Sequence, residues 1–179
     1  LIREKREQKG ITQQELCDGI CDQKTLSRIE RNATKPSFYV VEALVQRLAI
    51  SLEENYYRLF KNGSEIADLR DKITAAQQKY DYDTASKLLD EFESIADMDN
   101  RILRQFALSR RASCAMDRSN EERIAMFLEA LQLTVPDFDV EHMTQRFYSL
   151  EECKIIISIA HEYRHSDTKR SINILYRLY

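Results

Sequence analysis

The chain has 179 residues, 43% of them hydrophobic and 32% charged, with three glycines, two prolines and a net charge of −3. That length supports one large or two smaller domains, and so few Gly and Pro beside abundant Leu, Ile, Ala, Glu, Lys and Arg predict an all-α protein. The longest apolar run, Ile155 to Ala160, is interrupted by Ser158 and falls far short of the roughly 18 residues of a spanning helix, so no membrane partner and a cytoplasmic location are expected.

The first predicted helix runs from Ile2 to Lys9 and stops at Gly10, a residue that takes a left-handed backbone without steric cost. Thr12, with Glu15 three residues on, has the form of a capping box and opens a short helix over Gln13 to Asp18, closed by Gly19. A third helix starts at Asp22 or Gln23 and reaches Arg31. The loop "NATKPS" ends it, because Pro36 disfavours helix at Lys35, and Ser37 can cap a fourth helix over Tyr39 to Leu48. Ser51 caps a fifth, "LEENYYRLF", and "KNGS" at 61–64 marks a boundary between residues 1–62 and 63–179. The charge divides there: residues 1–62 carry +2 and residues 63–179 carry −5.

Beyond the boundary three blocks share one plan: a helix, a polar turn ("YDYD", "DRSN", "RHSD") and a second helix ending in apolar residues. Leu89, Leu128 and Leu175 take matching places, as do Phe92, Leu131 and Leu178, at spacings of 39 and 47 residues. Those periods are wider and less regular than a tetratricopeptide repeat, but the layout resembles a degenerate array of that type. A hairpin repeat cannot bury its apolar face alone. The last block ends inside an amphipathic pattern and the chain opens on Leu1, which predicts further sequence at both ends.

Two possible chemical sites carry little. Cys17, Cys21, Cys114 and Cys153 are scattered; the first two have C-x3-C spacing with no second pair, so they read as reduced, buried side chains. His161-Glu162-Tyr163-Arg164-His165 spells H-E-x-x-H, but Arg164 is charged where zinc proteases are not, and Asp167 is too near to be the third ligand. Neither a metal, a cofactor nor an enzymatic activity is expected.

The second and third helices carry more. Ile11, Leu16 and Ile20 give one an inner face, Leu26 and Ile29 the other, and the outward face of the third displays Gln23, Lys24, Thr25, Ser27, Arg28 and Arg31, with Lys35 in the loop beyond. This is the arrangement of a helix-turn-helix, in which the second helix enters the major groove and the first lies across it. Gln suits adenine edges, Arg and Lys suit guanine, and Ser and Thr suit phosphates or thymine methyls. "IREKREQKGITQQELCDGICDQKTLSRIERNATKPS" resembles the Cro/repressor (XRE) superfamily, a lambda-repressor-like five-helix domain, over about residues 1–60. The resemblance implies that Gln13 binds a phosphate, that Gln23, Lys24, Thr25 and Arg28 meet base edges and backbone, and that Arg6 and Glu30 form a partly buried structural ion pair.

Between Leu16 and Leu26 the chain is one residue shorter than phage-type repressors, and in this it resembles the RNPP group of peptide-responsive regulators, of the PlcR/Rgg type. These join such a domain to tetratricopeptide-like repeats. The resemblance implies a homodimer on double-stranded DNA, controlled in quorum sensing by a short peptide in the concave face of the array. Gln77, Gln78, Arg104, Gln105 and Arg111, and later Glu162 and Tyr163, are the candidates for holding a peptide backbone. The alternative is a repeat scaffold that binds and restrains a signalling protein.

Overall fold

A computed structural model of the chain describes residues 2–50, 65–141, 143 and 146–178. Those residues form ten α-helices and no strand: α1 (Ile2–Gln8), α2 (Gln13–Cys17), α3 (Gln23–Glu30), α4 (Phe38–Arg47), α5 (Glu65–Gln78), α6 (Tyr82–Ile95), α7 (Arg101–Cys114), α8 (Asn120–Gln132), α9 (Leu150–Tyr163) and α10 (Thr168–Leu178). The helix expected over "LEENYYRLF" and the boundary at 61–64 lie outside the described residues.

Local chemistry sets the starts and stops. The Thr12 hydroxyl accepts from the Glu15 N–H at 3.2 Å, and the Glu15 carboxylate accepts from the Thr12 N–H at 2.7 Å, which closes the capping box of α2. Asp22 caps α3 through the Thr25 N–H at 2.8 Å, and Ser37 caps α4 through the Val40 N–H. Each box or cap satisfies an N–H that the first helical turn leaves without an intrahelical partner.

The apolar faces of α2, α3 and α4 meet in one core of Ile11, Leu16, Cys17, Ile20, Leu26, Ile29, Ala43, Leu44 and Leu48. Ile102 of α7 packs against its edge, so this core is continuous with the later helices. From α5 onward the chain makes three antiparallel hairpins, each helix packed on the next, with α4 lying against α7 and α9. One core holds Leu69, Ile73, Leu89, Phe92 and Phe106; another holds Ile124, Phe127, Leu131, Ile155, Ile159 and Ile174.

The wide second spacing between blocks has a structural cause. Residues 133–149, which link α8 to α9, are not a short turn: Val135, Phe138 and Val140 are buried in the same core as Phe127 and Ile159. The segment contributes to the packed interior and also forms the seat for the first four helices.

Candidate nucleic-acid interface and a concave groove

α3 is held by its buried face. Leu26 is fully buried and Ile29 nearly so, while Gln23, Lys24, Arg28 and Arg31 on the other side are exposed. The side chains of Gln23, Lys24, Arg28 and Lys35 make no hydrogen bond or ion pair among the described residues. Four polar or cationic side chains without internal partners are therefore carried on a capped helix and the loop after it. The remaining candidates are partly engaged. The Thr25 hydroxyl donates to Asp22 at 2.7 Å within the cap, and Arg31 Nε donates to the Ser27 carbonyl at 3.1 Å. Asp22, the acid nearest this face, is held below the usual carboxylate range by the Thr25 hydroxyl and N–H.

Arg6 ties α1 to the end of α3. Its Nε donates to Glu30 Oε1 at 2.7 Å, its Nη2 to Oε2 at 3.2 Å, and its Nη1 to the Ile11 carbonyl at 2.9 Å. Gln13 Nε2 adds a third donor to Glu30 at 2.7 Å, so Gln13 is oriented by the same carboxylate. Burial alone pushes the Glu30 carboxyl up, but the hydrogen bonds from Arg6 and Gln13, with the Arg6 charge, outweigh it and hold the group below its ordinary value. A depressed carboxylate contributes stability above its unfolded pKa and loses it as pH falls through the folded one. Arg6→Ala is expected to cost about 3 kcal/mol at pH 7, because Glu30 is left 2% exposed and unpaired by any cation. The gap from the parent should narrow on acidification. Thermal melts at both pH values check this, and an unchanged melting temperature at pH 7 contradicts it.

Arg47 was not singled out by its sequence context, where it is an ordinary cation in the last turn of α4. Among the described residues it is the largest fully buried side chain. Nε donates to Glu152 Oε2 at 3.3 Å and Nη2 to Glu152 Oε1 at 2.6 Å; Nη1 donates to the Leu16 and Asp18 carbonyls, and Nη2 also to the Thr134 carbonyl at 3.2 Å. All five guanidinium N–H groups thus have an acceptor, which is what lets the charge be buried. Beside it, Arg146 bridges Asp18 at 2.7 Å and Asp137 at 2.8 Å. Gly19, with φ +70°, lies so close to the Thr134 backbone that an added Cβ would sit 1.9 Å from its carbonyl oxygen. The turn between α2 and α3 is therefore bolted to residues 133–149 and to the first turn of α9.

The hairpins enclose a concave groove of about 790 Å3 along α5, α7 and α9. Its walls include Gln77, Gln78, Tyr80, Tyr82, Arg110 and Phe127, with Lys154, His161, Glu162 and His165 from α9 and the turn after it. Past Thr74, Gln78, Arg110 and Lys154 it runs into a second hollow walled by Phe38, Glu42 and Gln46 of α4. The second hollow thus borders α4.

Four expected groove residues, Arg104, Gln105, Arg111 and Tyr163, are corrected. Gln105 is 2% exposed and its amide donates to the Ala130 carbonyl and, at 2.6 Å, to the Thr134 hydroxyl, so it is an interior bridge between α7 and the end of α8 within one hairpin. Arg111 is drawn to α6 by Glu93 and Asp90 and lies outside the groove. Arg104 is exposed but lines neither hollow. Gln77 and Gln78 do line the groove, the former with its amide donating to the Arg110 carbonyl at 2.9 Å. Tyr163 instead lies under the Arg170 guanidinium. Arg110, one position from the expected Arg111, and the α9 cations were missed because only the stacking of hairpins decides which helical face turns inward.

The H-E-x-x-H residues have a structural setting. Glu162 is 7% exposed and pairs with Arg123 at 2.7 Å, and no three His, Cys, Asp or Glu side chains among the described residues converge as a metal site. Burial pushes the Cys17 and Cys153 thiols up, and that of Cys21 to about 11, which keeps them protonated and unreactive at neutral pH.

Comparison with known proteins identifies the N-terminal part. The profile of the helix-turn-helix family matches residues 2–55, the stretch that holds α1 to α4. No curated protein and no solved structure matches the chain. Residues 2–55 are therefore a helix-turn-helix domain of the XRE type, the kind by which transcriptional regulators bind DNA. Among the described residues no helix is long and apolar enough to cross a membrane.

Proposed function

We propose that the chain is a sequence-specific regulator, controlled by a short signalling peptide that lies in the groove of tetratricopeptide-like hairpins and acting as a cytoplasmic homodimer on double-stranded DNA. The observation that carries the DNA half is the outward face of α3: Gln23, Lys24 and Arg28, exposed, without internal partners, on a helix whose start is fixed by Asp22 and whose depth is fixed by Leu26. Side chains of this length and chemistry are those that reach base edges in the major groove. A segment of only +2 releases few counterions, so a second copy on an adjacent half-site supports useful affinity at cellular salt.

The control half is supported by connectivity. α9 carries Glu152, which holds Arg47 and through it the Leu16 and Asp18 carbonyls, and two residues on it carries Lys154 in the groove wall. A ligand that shifts α9 has a rigid path to the turn before α3. Such a path becomes regulation only where the ligand binds two arrangements unequally.

Selection of binding sites from a random duplex pool tests this reading. A single enriched motif is expected, with Lys24→Ala and Arg28→Ala each weakening it by about 1–3 kcal/mol relative to unrelated duplexes. Equal weakening on every duplex assigns the side chain to phosphate. The absence of any enriched motif overturns sequence-specific reading.

A further inference from the structure

The charges that line the groove are not those of the region that builds it. Residues 63–179 carry −5, and a groove that merely sampled that surface would be acidic. Glu162 is the one carboxylate among the described residues that line the groove, and it is withdrawn: its side chain is 8% exposed and paired with Arg123 at 2.7 Å. The second hollow has Glu42, Asp71 and Glu151; Glu42 is paired with Arg70 at 2.9 Å, and Glu151 is 14% exposed and held by Arg110 at 2.7 Å and by Lys154 at 3.5 Å. What an entering ligand meets is the other partner of each pair and more. The Lys154 side chain is 47% exposed, and the imidazoles of His161 and His165 stand exposed at the same wall.

Arg110 and Arg123 each have, in addition, a buried Nε–H with no acceptor among the described residues. Their carboxylate partners leave that donor capacity unfilled, and buried polar groups in folded proteins are as a rule satisfied. The groove also has an aromatic and apolar lining: Tyr80, 78% exposed, stands edge-to-face with Tyr82 at 6.4 Å, with Met116 and Phe127 also present. Gln77, Gln78 and Asn120 add amides to that lining.

We propose that the groove selects an anionic peptide, one that presents a carboxylate to Lys154, His161 and His165 while an apolar or aromatic side chain lies on Tyr80, Tyr82 and Met116. This rests on the peptide reading above and names the chemistry that such a peptide must have. Within the groove a cationic peptide finds one acid among the described residues, Glu162, and reaching it means breaking the ion pair with Arg123, beside three like-charged or protonatable groups. Electrostatic exclusion of the wrong ligand is as much a part of specificity as attraction of the right one.

The test uses the full chain and random heptapeptide pools, read by sequencing what is retained. Peptides with Asp or Glu, or with a free carboxyl terminus, should be enriched about tenfold or more over their asparagine, glutamine and C-terminal amide counterparts, as expected for a charge-assisted hydrogen bond. Loss on amidation places the carboxylate at the peptide terminus, and loss on amide replacement of the side chain places it within the peptide; either supports the proposal. The Lys154→Glu/His161→Glu variant alters two exposed side chains and should retain its helical circular dichroism while its preference turns to Lys- and Arg-containing peptides. Enrichment without charge preference, or a preference unchanged in that variant, overturns the anionic assignment and leaves peptide binding standing. Retention of no peptide by either protein overturns both.

Discussion

Replacing Arg47 by alanine is expected to lower the stability of the whole chain by about 3–5 kcal/mol, the range for breaking a buried ion pair from one side. The loss has two parts. Glu152, 1% exposed, loses both of its guanidinium hydrogen bonds and keeps the one from the Ser149 N–H at 2.6 Å. The Leu16, Asp18 and Thr134 carbonyls lose their guanidinium donor as well. A second variant separates the parts. Arg47→Ala/Glu152→Ala removes the stranded carboxylate and should recover some of the loss, but not the share that belongs to the three carbonyls. Since a domain of this size is typically stable by only about 5–15 kcal/mol, the single variant should be visible as a large drop in denaturation midpoint. A change below about 1 kcal/mol contradicts the burial and satisfaction described for Arg47.

Gly19 offers the second large effect and contains its own control. At φ +70° any Cβ costs about 1–2 kcal/mol, and the Thr134 carbonyl oxygen 1.9 Å away is backbone that cannot step aside as a flexible side chain can. Overpacking of that kind adds about 1–3 kcal/mol. Gly10, at φ +67°, faces open space within 4 Å. Gly10→Ala should therefore cost only the conformational part, and Gly19→Ala clearly more. The difference measures how tightly the turn is pressed onto residues 133–149. Equal effects of the two substitutions would show that the turn does not touch that segment.

These two residues also mark where sequence and structure part. Helix starts were legible because their causes are local: Thr12 with Glu15, Asp22 with Thr25 and Ser37 with Val40 lie within three residues of each other. The inner faces of α2 and α3 were legible because helical periodicity announces them, and the hairpins because polar turns punctuate them. The expected ends of the first four helices moved by about one residue, as frayed ends do. Arg47 and Glu152 are 105 positions apart, and no period or motif links a last-turn arginine to the third residue of a distant capping box. Gln105 failed for a related reason: a polar residue expected at a surface turned inward because Ala130 and Thr134, on the other arm of its own hairpin, offer it acceptors 25 to 29 positions away. Residues 133–149 have no periodicity at all, yet they bury Val135, Phe138 and Val140 and provide the seat for the turn.

The helix-turn-helix and the hairpins thus meet through the buried Arg47–Glu152 pair, the close approach of Gly19 to Thr134 and the packing of Ile102, with the exposed face of α3 left clear of that junction. We propose that duplex DNA lies on this face and not in the groove, a placement that lysine acetylation footprinting on the full chain tests. The enriched duplex should protect Lys24 on α3 and Lys35 in the loop after it, both without internal partners, while Lys154 in the groove reacts at the same rate with and without DNA. Protection of Lys154 with Lys24 and Lys35 left fully reactive would contradict the account.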